Sequence, residues 1–328
     1  MTSRVAKRIR AVPDPFEIDI TVAHAARIYD FLLGGVDNFE IDRRTAAHAY
    51  ADMPGGLDGA RAAARANRAF LGRAVRWLAG EAGVRQFLDI GTGIPDTGTV
   101  HAVAQRIAPE SRIVSVDNDP VVLAHAHMLR QGATAGAADF VDGDLRDPRD
   151  IVLRAEATLD FAEPVAVVLG AVLHVIDGED DARATVHQLM DAVAPGSYLV
   201  ISHGAADIDS ENMARVAARL SERSHETFVW RSREQVTRFL AGLDTIAPGV
   251  VAVDHWRHDA APPRSDPVVP FYAAVGRKPD PHDETHSKDQ KGRHPPPLRP
   301  RSSPLSAARS GSQVLGDATA LASATRAV

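Results

Sequence analysis

Six consecutive residues, Leu88-Asp89-Ile90-Gly91-Thr92-Gly93, combine an acid and two glycines at the end of an apolar stretch. The stretch is typical of a β-strand, and a helical pattern follows it. Glycines at such a junction let the backbone approach a ligand closely, and the start of the helix favours an anionic group. The spacing predicts that Asp89, Gly91, Thr92 and Gly93 bind a ligand at the carboxyl end of a strand.

The residues around this loop distinguish between two classes of ligand, a dinucleotide and a molecule with an amino-acid end. A dinucleotide fingerprint has a third glycine at position 96, where this chain has Asp96, and an acid there repels a pyrophosphate. Asp89 has no role toward a dinucleotide, but it can pair with an ammonium group while backbone amides hold a carboxylate. The loop therefore indicates a ligand with a zwitterionic amino-acid end. S-adenosylmethionine has this end together with a ribose and an adenine.

Acids at the ends of the next two predicted strands match the rest of that ligand. Asp117, followed by Asn118, can accept the ribose hydroxyls, and Asp144, followed by Leu145, can receive the adenine amino group. Asp117 and Asp144 could instead cap the turns or helices that follow them. Three acids at three successive strand ends favour the ligand.

Two histidines follow the fourth and fifth predicted strands, at the edge that would face a reactive methyl group. The near-neutral pKa of histidine suits a general base, which methyl transfer needs when the nucleophile arrives protonated. We predict His174 as the main catalytic candidate and His203 as a second; either could instead be a structural histidine bonded to backbone. No metal site is predicted, because His125 and His127 lie two apart in a helical pattern and diverge.

The elements that would hold these residues alternate between strands and helices. This alternation after residue 85 predicts an α/β fold with a parallel, doubly wound Rossmann-like sheet. Two further strands without a helix between them, Val250–Trp256 and Phe271–Val275, predict an antiparallel C-terminal edge hairpin. Before residue 85, helical patterns begin near Thr21, Ile41 and Leu57, and they predict an N-terminal helical cap.

Composition divides the chain into four predicted parts: an irregular arm (1–20), a helical cap or lid (21–84), the Rossmann-like core (85–277) and a tail (278–328). The tail holds seven prolines and no aromatic residue, so it is predicted to be disordered. It carries a net charge of +3, which leaves −9 on residues 1–277. An acidic folded part disfavours nucleic acid as a partner.

Composition also excludes several classes of protein. The chain has no cysteine, which rules out disulfides, thiolate metal sites and a thiol nucleophile. It has no apolar run long enough to span a membrane and no secretory signal, so we expect a cytoplasmic protein without a membrane partner. Nucleophile-elbow and phosphate-loop motifs are also absent from the sequence.

The chain resembles a family of S-adenosylmethionine-dependent methyltransferases of high-GC, actinobacterial-type bacteria that was formerly catalogued as a domain of unknown function. The resemblance is carried by residues 26–35, 37–39, 67–71, 85–93, 116–126, 171–174 and 194–203. It implies a class I methyltransferase fold with a helical N-terminal cap. The dense motif around Tyr29, Asp37 and Asn38 suggests a lid that contacts the cofactor, although helix packing and capping would also explain these residues. Val36 departs from the family pattern, which has a polar residue there.

These observations predict a methyltransferase that uses S-adenosyl-L-methionine and acts on a small or medium-sized acceptor through an oxygen, nitrogen or carbon nucleophile. The alternative is a non-catalytic S-adenosylmethionine-binding sensor or partner-binding module. A nicotinamide-dependent oxidoreductase is disfavoured by Asp89 and Asp96.

Overall fold

Strongly apolar strands and amphipathic helices set the architecture in the computed structural model, which describes residues 18–96, 98–129, 137–257 and 269–280. Most of the predicted arm, the Pro-rich loop between the last two predicted strands and the tail after residue 280 lie outside the described residues. The chain divides into two compact units at residue 284, and every described residue belongs to the first.

Three helices precede the sheet, and we call them the cap: α1 (Ala25–Leu33), α2 (Glu40–Ala49) and α3 (Gly56–Gly80). Helix α1 begins four residues later than the sequence pattern suggested, because Thr21 bonds Asp19 and Ala23 forms a β-bridge with Ser224. It ends at Gly34 as predicted, since that residue adopts φ 90°.

The sheet and its helices follow in alternation. In chain order they are β1 (Gln86–Ile90), α4 (Val100–Ile107), β2 (Arg112–Asp117), α5 (Pro120–Leu129), β3 (Ala138–Asp142), α6 (Pro148–Ala155), β4 (Ala166–Gly170), α7 (Glu179–Ala192), β5 (Tyr198–Gly204), α8 (Ser210–Ser221), α9 (Arg233–Arg238), β6 (Asp244–Thr245), β7 (Val251–Ala252) and β8 (Phe271–Arg277). One turn of 3-10 helix, Leu173–Val175, follows β4.

The described strands form one sheet in the order β3-β2-β1-β4-β5-β8-β6, with β7 also paired to β8. Strands β1 to β5 run parallel, and β8 runs antiparallel to β5, β6 and β7. This topology confirms the predicted doubly wound sheet with antiparallel C-terminal strands. Since β1 to β5 are parallel, all their carboxyl ends lie at one edge.

Two predicted strands are shorter than their apolar runs. Residues 165–173 are a continuous apolar run that predicts one central strand, but the chain leaves the sheet after Gly170, because Ala171 adopts φ 54° and turns the chain toward the 3-10 helix. In the run 250–256 only Val251 and Ala252 pair with β8. Trp256 is nevertheless fully buried, so its hydrophobicity reports core packing rather than strand pairing.

Helix α3 belongs to two cores at once. Its second half packs on the sheet through Phe70 and Leu78, both without solvent exposure. Its first half packs Ala60 against α1 and α8, in a cluster that includes Leu220. The cap is therefore completed by α8 from the C-terminal half of the chain. None of the helices among the described residues combines the length and apolarity that crossing a membrane requires.

Candidate cofactor and acceptor site

A cavity lies where the carboxyl ends of β1 to β4 meet the cap. Its wall comes from the loops after those strands, from α1 and α3, from the connection between α2 and α3, from α8 and from the segment 226–230. The sequence-predicted residues on this wall are Tyr29, Asp89, Gly91, Thr92, Gly93, Asp117, Asn118, Asp144, Leu145 and His174. The structure therefore brings ten of the thirteen predicted site residues together.

The glycine loop, residues 91–93, turns sharply at the end of β1. Gly91 and Gly93 adopt φ 72° and 69°, which favours glycine at both positions. A Cβ on Gly91 would lie 2.5 Å from Val172 Cγ2, whereas one on Gly93 would meet nothing within 4 Å. The loop is thus packed tightly against the chain after β4 at Gly91 and leaves open space at Gly93.

The amides of this loop are already engaged. Gly91 N and Thr92 N donate to the Val116 carbonyl at 2.8 and 3.1 Å, and Gly93 N donates to Asp117 Oδ2 at 2.9 Å. The sequence-based expectation that they hold a ligand carboxylate therefore does not match the structure. These bonds instead fix the glycine loop to the end of β2.

A basic residue of the cap lies on the cavity wall, where it can pair with a ligand carboxylate. Arg68 of α3 lines the cavity, and its electrostatic effect reaches Asp89. Arg68 Nε lacks a hydrogen-bond partner among the described residues, although it lies 3.7 Å from Asp96 Oδ2. The guanidinium also lies over the Tyr29 ring, 5.5 Å from its centroid. Sequence reasoning gave Arg68 no role, since only the fold brings α3 to the glycine loop.

Asp89 is a buried acid that forms no ion pair with any of the described residues. It is 5% exposed, and Thr92 Oγ1 donates to its Oδ2 at 2.7 Å. Burial raises the pKa of Asp89 to about 6, although the Thr92 bond and Arg68 oppose the shift. An ammonium group beside it would favour the ionised carboxylate. The pair Asp89 and Arg68 therefore fits the zwitterionic end of S-adenosylmethionine.

Asp117 is held by the turn that it closes. Its Oδ1 accepts from Asn118 N at 2.9 Å and from Asp119 N at 3.0 Å, while its Oδ2 accepts from Gly93 N. Burial raises the pKa of Asp117 although these backbone bonds oppose the shift. Oδ1 already accepts two hydrogen bonds, whereas Oδ2 accepts one and retains acceptor capacity, so the turn-capping role leaves room for the predicted ribose role at Oδ2.

The loop after β3 supplies a less buried carboxylate. Asp144 pairs with Arg146, whose Nη1 lies 3.1 Å from Asp144 Oδ2 and whose Nη2 donates to the Val175 carbonyl at 2.9 Å. Leu145 is buried beside them. Arg146 thus links the loops after β3 and β4, and Asp144 stays at the cavity wall.

The predicted lid residues separate into two groups. Tyr29 lines the cavity, and its hydroxyl donates to the Ala64 carbonyl at 3.1 Å. Asp37 and Asn38 are not on the cavity wall: Asp37 N and Asn38 Nδ2 donate to Asp30 Oδ2 at 3.0 and 2.8 Å. They order the α1–α2 turn instead. Val36 is 87% exposed, so its departure from the family pattern removes no contact in this structure.

A buried charged cluster ties the cap to β2. Asp119 Oδ2 lies 2.8 Å from His24 Nδ1 and 3.0 Å from Arg27 Nε. His24 Nε2 contacts Glu226 Oε1 at 3.0 Å. Burial opposes protonation, but the two carboxylates outweigh it and raise the pKa of His24. His24 Nδ1 also lies 3.3 Å from Ala26 N. Because its contact with Asp119 Oδ2 is shorter, we assign Nδ1 as a donor to Asp119.

His174 occupies an aromatic environment at the end of β4. Its ring stacks on Phe228 at 5.1 Å and meets Trp230 edge-on at 5.0 Å. The side chain is 6% exposed, and its Nδ1 has no hydrogen-bond partner among the described residues. Burial holds the pKa of His174 well below its ordinary value, with further contributions from His203 and Arg231. The imidazole is therefore neutral at physiological pH.

His203 lies behind the cavity wall rather than on it. It is fully buried, its Nδ1 contacts the Gly204 carbonyl at 2.9 Å and its Nε2 contacts Arg231 Nη1 at 3.1 Å. Burial lowers the pKa of His203 to about 3. Because both ring nitrogens are engaged, this geometry does not support the predicted role of His203 as a base.

Arg231 fixes the loop that carries His174. The buried guanidinium donates to the carbonyls of Leu173, Ile176 and Gly178 at 3.0, 2.7 and 3.2 Å. These bonds bracket His174 on both sides in the chain. The position of Arg231, 57 residues after His174 in the sequence, gave no signal of this role.

The sheet order, with β1 to β5 parallel and β8 antiparallel to β5, defines a class I methyltransferase fold. The sequence model of the S-adenosyl methyltransferase family matches residues 12–279, and the chain belongs to this family. It is therefore an S-adenosylmethionine-dependent methyltransferase, as the resemblance implied, which sets aside the sensor and oxidoreductase alternatives.

Two solved structures are similar over most of the chain. A DUF574 family protein from Streptomyces avermitilis is 39% identical, with a TM-score of 0.74, and the match covers 80% of this chain and 99% of that one. A protein from Thermobifida fusca, described as a proposed methyltransferase, is 35% identical with a TM-score of 0.73, covering 83% and 100%. A comparison with curated proteins gave no match.

Proposed function

We propose that the protein methylates a hydroxyl group of a small, neutral acceptor, with His174 as the proton acceptor. One observation carries the proposal: the buried imidazole of His174, whose Nδ1 has no hydrogen-bond partner in the described part of the chain, lines the same cavity as the glycine loop and Asp89. We also propose that residues 21–84 act as a lid fused to the core rather than as a separate domain, since α3 packs in both.

The residues that would hold S-adenosylmethionine follow from the charges on the wall. Asp89 would pair with the ammonium group and Arg68 with the carboxylate. Asp117 and Asn118 would bind the ribose, and the loop containing Asp144 and Leu145 would bind the adenine end. When bound, S-adenosylmethionine supplies a methyl carbon that is activated by its positively charged sulfur.

His174 suits this site because it is neutral. An imidazolium beside a sulfonium would repel it, whereas a neutral ring can accept a hydrogen bond from the acceptor and take its proton. The low pKa of His174 makes it a weak base, so an acidic O–H is the matched donor. The apolar surroundings of the ring exclude water from the reacting atoms.

The test uses methyl-labelled S-adenosylmethionine and a protein-free small-molecule extract of an actinobacterial culture. We expect label in a small molecule as an O-methyl group, and a loss of about 100-fold in His174→Phe, within the range for a lost general base. Calorimetry with S-adenosylhomocysteine checks that the variant retains the cofactor site. Label on nitrogen or carbon, or unchanged transfer by the variant, contradicts the proposal.

A further inference from the structure

One region of the cavity wall has a distinct chemistry. It is formed by Tyr50, Met53, Met213, Phe228, Trp230 and Phe271, which we call the aromatic wall. Methionine and aromatic side chains contact flat apolar molecules favourably, through dispersion and ring stacking. The aromatic wall therefore differs in chemistry from the strand-end loops, whose acids and glycines match the cofactor.

Helix α3 faces the same space with very small side chains. Ala60, Ala63 and Ala64 all line the cavity. Their spacing places them on one face of the helix, where they present only methyl groups. Small residues along one face leave room for an occupant against the helix, and their apolar character selects against a charged one.

Polar atoms on this part of the cavity lack partners. Among the described residues, His174 Nδ1, Trp230 Nε1 and Glu226 Oε2 are buried without a hydrogen-bond partner. All three side chains line the cavity. Buried polar atoms are normally hydrogen-bonded, so an occupant with hydrogen-bonding groups of its own would complement these three residues.

The charge on the cavity wall further restricts the class of acceptor. Glu226 already pairs with His24, and it adds negative charge that repels a carboxylate or phosphate on the acceptor. A protonated amine has no electron pair with which to attack the methyl carbon, and a carboxylate such as Glu226 on the wall favours that protonated form. A phenol is neutral and flat, and it ionises near pH 10, so its proton is far more available than that of an aliphatic alcohol.

We propose that the acceptor is a neutral aromatic phenol, with its ring against the aromatic wall and its hydroxyl toward His174. This inference rests on the proposed function and adds the substrate class to it. The phenol oxygen gives its proton to the imidazole and uses an electron pair to bond the methyl carbon. The carbon–sulfur bond breaks with its electron pair left on sulfur, which becomes a neutral thioether. The imidazolium then returns the proton to water.

The test measures S-adenosylhomocysteine release with a panel of probes: one-, two- and three-ring phenols, each paired with its saturated alcohol, its aromatic amine and its aromatic carboxylic acid. We expect turnover with at least one phenol, and kcat/KM lower by about 100-fold or more for its three counterparts, a difference in line with specificity set by pocket contacts. The methyl ether is identified by mass spectrometry.

Two variants locate the ring. Ala64→Phe fills the space beside α3 and is expected to raise KM for the phenol by at least about 10-fold. Trp230→Phe keeps a ring but removes the indole N–H, and it should raise KM by about 10-fold, the cost of one hydrogen bond. Ala217→Ser on α8, a residue absent from the cavity wall, is the matched control and should change neither value.

The outcomes of these experiments distinguish the phenol inference from the proposed function. If S-adenosylhomocysteine binds and none of the phenols reacts, or if the saturated alcohols react equally well, the phenol inference is overturned while the methyltransferase proposal stands. An aromatic amine as the preferred acceptor overturns both the phenol and the hydroxyl assignments. Unchanged kinetics in both cavity variants, with the fold intact by circular dichroism, overturn the placement of the ring.

Discussion

Two buried titratable side chains determine how the site responds to pH. Asp89 and His174 both line the cavity, and burial shifts their pKa values in the directions that favour their neutral forms. His174 accepts a proton in its neutral form, whereas Asp89 pairs with the cofactor ammonium group in its ionised form. Acidification therefore affects cofactor binding before it affects proton transfer.

The turnover number should stay constant when the pH falls from 8 to 6 at saturating cofactor. His174 has a pKa well below its ordinary value, so its proton-accepting form persists over this range. The measurement is kcat against pH in constant-ionic-strength buffers. A decline centred near pH 6.5, the ordinary value for histidine, would show that His174 is not neutral by burial or is not the base.

Cofactor affinity should weaken as the pH falls through about 6, because the free protein then protonates Asp89. A protonated carboxyl cannot pair with an ammonium group, and Asp89→Asn should weaken S-adenosylhomocysteine binding by about 10- to 100-fold, the cost of a charge-assisted hydrogen bond. The variant should also lose the pH dependence. Asp180→Asn is the matched control, because Asp180 is exposed and pairs with Arg183 on its own helix α7, and calorimetry from pH 5 to 8 provides the measurement.

The Arg68 side chain should contribute as strongly as Asp89 to binding the amino-acid end. Arg68→Gln is expected to weaken S-adenosylhomocysteine binding by about 10- to 100-fold, since it removes a charged partner of the carboxylate. Decarboxylated S-adenosylmethionine separates this role from a structural one, because it should bind the wild type and the variant equally. If the affinity for both ligands falls equally in the variant, Arg68 has a structural role instead.

At the scale of elements, the sequence predicted well what depends on periodicity. Asp89 near the end of β1, Asp117 at the end of β2 and Asp144 after β3 lie at one edge of the sheet, because parallel strands place their carboxyl ends together. It did not predict Arg68, His24 or Arg231. Their roles depend on helices and loops that meet only in the folded chain, and a lone basic residue on an amphipathic helix carries no local signal of its partner.

The contact between α1 and the end of β2 should be sensitive to alkaline pH. The pKa of His24 is raised, so the stability contributed by its protonated ring is fully present below pH 6.5 and is lost as the pH rises through the raised pKa. Asp119, Glu226 and Asp117 favour the cation, while the neighbouring Arg27 is itself paired with Asp119.

The free energy of unfolding, measured by urea denaturation between pH 6 and 9, checks this assignment. Wild type should lose stability over that range relative to His24→Gln, which has no proton to release. His187→Gln is the matched control, because His187 is exposed and pairs only with Asp191 on its own helix. Parallel pH curves for wild type and His24→Gln would show that the cluster does not hold a protonated histidine.

On the scale of the whole molecule, the cap and the sheet form one mechanical unit around the cavity. Helix α3 carries Arg68, which lines the same cavity as Asp89, and it continues into the sheet core. Asp119, two residues after Asp117, pairs with Arg27 of α1. A ligand that bridges Asp89, Asp117 and Arg68 therefore contacts both layers. Its binding energy stabilises their association as well as the loops themselves.

Hydrogen exchange with and without S-adenosylhomocysteine tests this coupling. We expect slower exchange in α1 and in the first half of α3 together with the glycine loop, because opening the cap breaks ligand contacts in all three. In Arg68→Gln at saturating ligand, the glycine loop should keep its protection and the cap should lose most of its own. Protection confined to the strand-end loops in wild type would mean that the cap opens independently of the cofactor, and the acceptor would then enter a cavity whose roof is not set by cofactor binding.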